Sequence, residues 1–131
     1  MIYLLDTVTC IEVLRQRTSS VQRLSQVSPV ECAVSAVTVY ELFCGVEKSQ
    51  APLTERRKVE QFLSVIAELP FDRAAAVMAA RIRADLEKKG TPIGPYDLLI
   101  AGHALANNLT VVTNNLGEFT RVHGLKVEAW S

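Results

Sequence analysis

Ile2-Tyr3-Leu4-Leu5-Asp6 stands at the start of the chain, and its reading sets the fold. Four apolar or aromatic residues in a row leave no position for water, as in a short strand covered on both faces. The run ends on a carboxylate, which is partly desolvated there and needs a partner. Leu109-Thr110-Val111-Val112-Thr113 repeats the pattern far along the chain, with β-branched side chains that favour a strand, and ends on a hydroxyl. Cys32-Ala33-Val34-Ser35 reads as another strand, Ile66 to Leu69 as a short one before Pro70, and Leu125 to Ala129 as a last one.

Helical patterns fill the intervals. Thr7 to Arg17 has apolar residues at 8, 10, 11, 13 and 14 and a basic end, as a helix would. Val21, Leu24 and Val27 suggest a short helix before Pro29, and Val37 to Val46 a longer one. Pro52 opens a helix carrying Val59, Phe62, Leu63 and Ile66. Asp72 caps an alanine-rich helix that runs to Lys88 or Lys89 and stops at Gly90. Pro95 suits the first turn of a helix that runs to Asn107. This alternation predicts an α/β fold in three layers, with a central, mostly parallel sheet of four to five strands between helices. Sites in such sheets form at the carboxyl ends of strands, where Asp6, Ser35 and Thr113 fall.

The bulk composition agrees with one domain over residues 1–131, with 49% hydrophobic residues and no low-complexity segment or repeat. Fourteen basic residues balance fourteen acidic ones, which argues against a general polyanion binder but allows a local basic rim. Cys10, Cys32 and Cys44 are odd in number and sit among apolar residues, as reduced thiols packed in a core do. No apolar run has the length of a membrane span, and the N-terminus lacks a basic start. The expected location is the cytoplasm.

Three carboxylates stand out. Asp6 ends the first strand, and its plainer role is to cap the next helix. Glu41 lies in a largely apolar helical stretch where Thr38 and Glu41 form a narrow polar stripe; an exposed glutamate is the plainer reading. Asp97 sits in the first turn of the Pro95 helix, where a negative charge complements the helix dipole. Together they can meet at the carboxyl edge of the sheet. Converging carboxylates repel unless a cation joins them, and oxygen ligands suit Mg²⁺ or Mn²⁺. Zinc is disfavoured, because neither His103 nor His123 has a partner at metal-ligand spacing; both histidines read as structural or surface residues.

At these residues the sequence resembles the PIN-domain family, and within it the VapC-type toxins. The resemblance is carried by Leu4-Leu5-Asp6-Thr7, by Ser35 to Leu42, by Pro92-Ile93-Gly94-Pro95-Tyr96-Asp97 and the helix after it, by Val111 to Phe119, and by Gly124 to Trp130. It implies a Mg²⁺- or Mn²⁺-dependent ribonuclease, neutralised by a small VapB-like antitoxin, acting as a homodimer and in larger toxin–antitoxin assemblies. Similar toxins cut initiator tRNA in its anticodon region, which makes tRNA a candidate substrate. The resemblance places Asp6, Glu41 and Asp97 on the family's metal positions. Asn115 stands where an aspartate is frequent, Glu118 can supply the missing charge, and Thr113 matches the residue that orients the attacking water. Val8 replaces the family's usual asparagine after Asp-Thr, and valine cannot hydrogen-bond through its side chain.

Arg15, Arg17, Lys88 and Lys89, with Arg81 and Arg83, are candidates for a rim that meets RNA; solvated surface charge is the plainer reading. Two other classes fit the pattern less well. One is a PIN-like interaction scaffold with weak or no nuclease activity, which the three acids oppose. The other is a phospho-receiver domain, which wants an acidic pair at the first strand end and a late strand-end lysine, where this chain has Asp6 alone and Thr113.

Overall fold

The computed structural model describes residues 1–130. Their elements follow in the order β1 (Tyr3–Leu5), α1 (Thr7–Leu14), α2 (Thr18–Ser25), β2 (Cys32–Ser35), α3 (Ala36–Lys48), α4 (Pro52–Leu63), β3 (Ala67–Leu69), α5 (Arg73–Lys88), α6 (Pro95–Ala106), β4 (Thr110–Val112), α7 (Leu116–Phe119) and β5 (Val127–Glu128), with a 3₁₀ turn at Pro29–Glu31 before β2. The five strands form one sheet in the order β3-β2-β1-β4-β5, with every pairing parallel.

Successive residues of a strand point to opposite faces, and this alternation divides the core in two. Leu4 of β1, paired with Ala33 and Val111, packs with Ile82 and Leu86 of α5, Leu98, Ile100 and Ala104 of α6, and Phe119 of α7. Leu5, Cys32, Val34 and Val112 turn the other way, onto Cys10 of α1, Leu42 and Val46 of α3, and Val59, Phe62 and Leu63 of α4. The result is the three-layer α/β/α fold with a five-stranded parallel sheet, as the alternating pattern requires. Cys10 and Cys32 are core residues, and burial raises both thiols above their ordinary pKa. Phe62 and Leu63 belong to the same core. No helix among the described residues is long and apolar enough to cross a membrane.

The strand order fixes where a site belongs. From β1 the chain winds outward through β2 to β3, then returns across β1 to build β4 and β5 on its other side. The direction reverses between β1 and β4, and a crevice opens at the carboxyl ends of strands flanking such a reversal. Asp6 directly follows β1 and Thr113 directly follows β4. The same order excludes the phospho-receiver reading, whose sheet runs 2-1-3-4-5.

Three local expectations needed correction. α4 ends at Leu63 with Ser64 as its cap, so Ile66 lies before β3 rather than on the helix. The first helix stops at Leu14 rather than Arg17: Arg15 is its cap and Gln16 turns into the left-handed region at φ 57°. The apolar periodicity that supports the helix ends at Leu14, and Arg17 instead precedes α2. The four-residue α7 was not expected, because one turn shows no periodicity.

α5 and α6 approach at Gly102, where an added Cβ would lie 2.6–2.7 Å from the backbone and Cβ of Ala79. Backbone on one side cannot move aside, so Gly102→Ala forces the helices apart. Its expected cost is about 1–3 kcal/mol, read as a lower urea midpoint with an unchanged slope.

Candidate active site

Asp6 is 2% exposed. Its Oδ1 accepts the backbone N–H of Thr9 at 2.9 Å, so the capping role expected of it is real. Thr9 hydroxyl donates to the Val112 carbonyl at 3.1 Å, tying α1 to β4. Asp6 also bonds the Thr113 side chain; burial outweighs these bonds and raises its carboxyl above the ordinary aspartate value. Thr113 is itself fully buried, and its Oγ1 accepts the backbone N–H of Asn115 at 2.8 Å, which shapes the turn into α7.

Asp97 enters from the first turn of α6 and meets Glu118 from α7. Burial pushes the Asp97 carboxyl up to about 7, assisted by its hydrogen bond to Glu118, by the charge of Glu118 and by that of Asp6. Glu118 is held below its usual range, first by the Gly94 backbone N–H, which donates to Oε1 at 2.8 Å. Crowding of the two carboxyls thus favours a proton on the pair. Asn115 bridges them: its Nδ2 donates to Asp97 Oδ2 at 3.4 Å and to Glu118 Oε2. The amide cannot supply the charge of an aspartate, but it links both acids. Arg121 adds a positive field at Glu118, and its Nη1 donates to the Pro92 carbonyl at 2.8 Å, fixing the loop that delivers Gly94.

Glu41 is placed differently. Thr7 hydroxyl donates to its Oε1 at 2.6 Å and lies 3.1 Å from the Thr38 hydroxyl. Glu41 therefore reaches the cluster through Thr7, the chain neighbour of Asp6. Asp6, Asp97, Glu118, Asn115 and Thr113 form one connected group, and Glu41 stands at its side. Among the described residues no three acidic, histidine or cysteine side chains are already gathered at metal-holding distance. Thr7 and Gly94 stood in quoted motifs without a role and Arg121 was missed; nothing in the sequence pattern marks a backbone N–H, a neighbouring hydroxyl or a distant guanidinium as part of a site. Val8 turns to solvent, and the bonds that hold the acids come from Thr7, Thr113 and Asn115.

The model of the PIN domain family matches residues 3–125. The chain belongs to the PIN-domain family. Within it, the tRNA(fMet)-specific endonuclease VapC of Salmonella typhimurium is 42% identical over 128 residues, covering 98% of this chain and 97% of that protein. The VapC of the same designation from Shigella flexneri is 43% identical, with 98% of each chain covered. The fold also matches the crystal structure of DNA-bound VapBC from Salmonella typhimurium, with TM-score 0.95, 42% identity, and 100% and 99% coverage of the two chains. VapBC2 from Rickettsia felis, bound to a promoter DNA fragment, matches with TM-score 0.92, 35% identity and complete coverage of both chains.

The remaining candidates take varied places on this PIN domain. Arg15 is exposed and shares a groove of 360 Å³ with Glu41, Ile11, Leu14 and Lys58. Arg17 is exposed at the start of α2, and Lys88 at the end of α5. Lys89 is paired with Asp85 at 3.0 Å. His103 is buried, with Nδ1 2.8 Å from the Ser35 hydroxyl and its ring edge-on to Phe71, and burial lowers its pKa. It is structural. His123 is exposed.

The donor set suits a hard divalent cation. It is all oxygen, and burial beside Glu118 favours a proton on the Asp97–Glu118 pair at a pH where an aspartic acid has ordinarily lost it. A cation would take the place of that proton, because it relieves the same repulsion.

Proposed function

We propose that this chain, as a single PIN domain over residues 1–131, is a toxin endoribonuclease that hydrolyses RNA phosphodiester bonds with Mg²⁺ or Mn²⁺. The observation that carries the reading is the geometry at the reversal between β1 and β4, where Asn115 bridges Asp97 and Glu118 beside the strand-end Asp6. Asp6 and Asp97 hold the cation, and Glu41 joins them by turning from Thr7. An ion held by these carboxylates would supply Lewis-acid polarisation of a phosphoryl oxygen and charge to offset that on the leaving oxygen. Thr113 orients Asp6 and the attacking water. Asn115 keeps Asp97 and Glu118 in register, and Glu118 helps to site the attacking water. Products carry a 5′-phosphate, and the reaction needs no 2′-hydroxyl nucleophile.

The tRNA(fMet) designation of relatives at 42% and 43% identity supports initiator tRNA, cut in its anticodon region, as the substrate. Solved VapBC complexes of similar chains support a VapB-like antitoxin as partner and a larger assembly with it; a homodimer and a cytoplasmic location complete the reading. Arg15, Arg17, Lys88 and Lys89 serve as outer contacts to phosphate.

The test is cleavage of total tRNA by the purified chain with Mn²⁺, with sequencing of the new ends. New 5′-phosphate ends within the initiator anticodon loop, abolished by EDTA, are expected. No ion-dependent ends, together with no Mn²⁺ heat in calorimetry, would leave the scaffold reading in its place.

A further inference from the structure

Four large apolar side chains that face water stand within two residues of the site's acids and amide. Val8, Tyr40, Tyr96 and Leu116 expose 54%, 54%, 42% and 41% of their surfaces. Exposed apolar groups collected round a polar centre mark a contact surface. Tyr40 immediately precedes Glu41 on α3, and Tyr96 immediately precedes Asp97 on α6. Their rings lie together, centroids 5.8 Å apart and planes inclined at 57°. Tyr96 hydroxyl donates to the Tyr40 hydroxyl at 3.4 Å. Packing of the core does not account for the pair, since both rings remain open to water.

We propose that Tyr40 and Tyr96 form a stacking platform that receives an unpaired base of the RNA beside the bond to be cut, an assignment that rests on the ribonuclease reading above. Electrostatics favours it. The chain carries no net charge, so attraction of phosphate comes only from the held ion and a few rim side chains, and leaves room for a second source of affinity. Stacking does not depend on that charge, because every base presents a π-face to an aromatic ring. It requires an unpaired nucleotide, because a helix covers the faces of its bases. With one ring beside each of two site acids, a base held on the pair brings its own phosphate to the carboxylates.

The probe is a hairpin RNA cut by the parent, together with the same hairpin made abasic at the nucleotide next to the mapped cleavage. Tyr40→Ala with Tyr96→Ala raises KM about tenfold, and the loss falls on KM rather than kcat. Phenylalanine at both positions restores KM, since it keeps the ring. The abasic hairpin penalises the parent by a similar factor and the alanine variant no further. Unfolding curves matching the parent's show that the exposed rings were not needed for folding. An unchanged KM in the alanine variant, or penalties that multiply, removes the platform while leaving the nuclease intact. Normal cleavage combined with escape from the antitoxin assigns the pair to a protein contact and overturns the proposal. A parent that cuts no RNA, with Asp97→Asn equally inert, defeats the ribonuclease reading itself.

Discussion

Asp97→Asn ends RNA cleavage and, in metal-free buffer at pH 8, raises the melting temperature of the chain. The two effects share one cause. The Asp97 carboxyl is pushed up to about 7 by burial and by Glu118, against 3.8 for an ordinary aspartate. Between those values the folded chain keeps a proton that the unfolded chain has released. The stability linked to that proton is complete below pH 3.8 and is lost as pH rises through 7. Asparagine never ionises, so the variant escapes the loss. After allowance for water at the open edge of the site, the gain is about 1–2 kcal/mol, or roughly 3–8 °C at this chain length. Activity moves the opposite way, because a neutral amide cannot replace the carboxylate that holds the cation; a fall on the order of 10²–10³ or more is expected. Thermal unfolding at pH 5 and pH 8 and an RNA cleavage assay check both halves. A variant that cuts RNA at the parental rate rules out Asp97 as a site residue, and a variant less stable than the parent at pH 8 rules out the repulsion argued here.

The fold was legible because burial writes itself into short runs. Ile2 to Leu5 is apolar or aromatic throughout and Leu109 to Val112 is broken only by the β-branched Thr110, and strands of that kind need helices on both faces. Asp6 and Thr113 were legible for the same reason, as polar residues that end an apolar run. Asp97 was legible from Pro95, which fixes where its helix begins. The pairing of Asp97 with Glu118 was not, since it depends on one turn of helix docking after β4 and on a backbone N–H from Gly94. Nor did anything in the chain's order show that Thr7 engages Glu41, because that bond joins residues 34 positions apart. Letters mark which residues are acidic; the distance between two acids is set by packing of elements that the letters describe only weakly.

Mg²⁺ is expected to stabilise the parent more at pH 8 than at pH 6. The cation and the Asp97 proton compete for one carboxylate, so binding must displace the proton wherever it is still held. Asp97 loses it at about 7. Below that point the apparent Kd rises about tenfold for each pH unit, and above it the affinity levels off. At an ion concentration near 100 times Kd the stabilisation is about 2.7 kcal/mol, readable as a shift in melting temperature. The same competition releases roughly half a proton per ion at pH 7, which calorimetry in two buffers of different ionisation heat resolves. Asp97→Asn removes both the shift and the release. Should the parent bind Mg²⁺ equally at pH 6 and pH 8 with no proton given up, the ion is held elsewhere, and Asp97 and Glu118 are an acid pair that serves the fold alone.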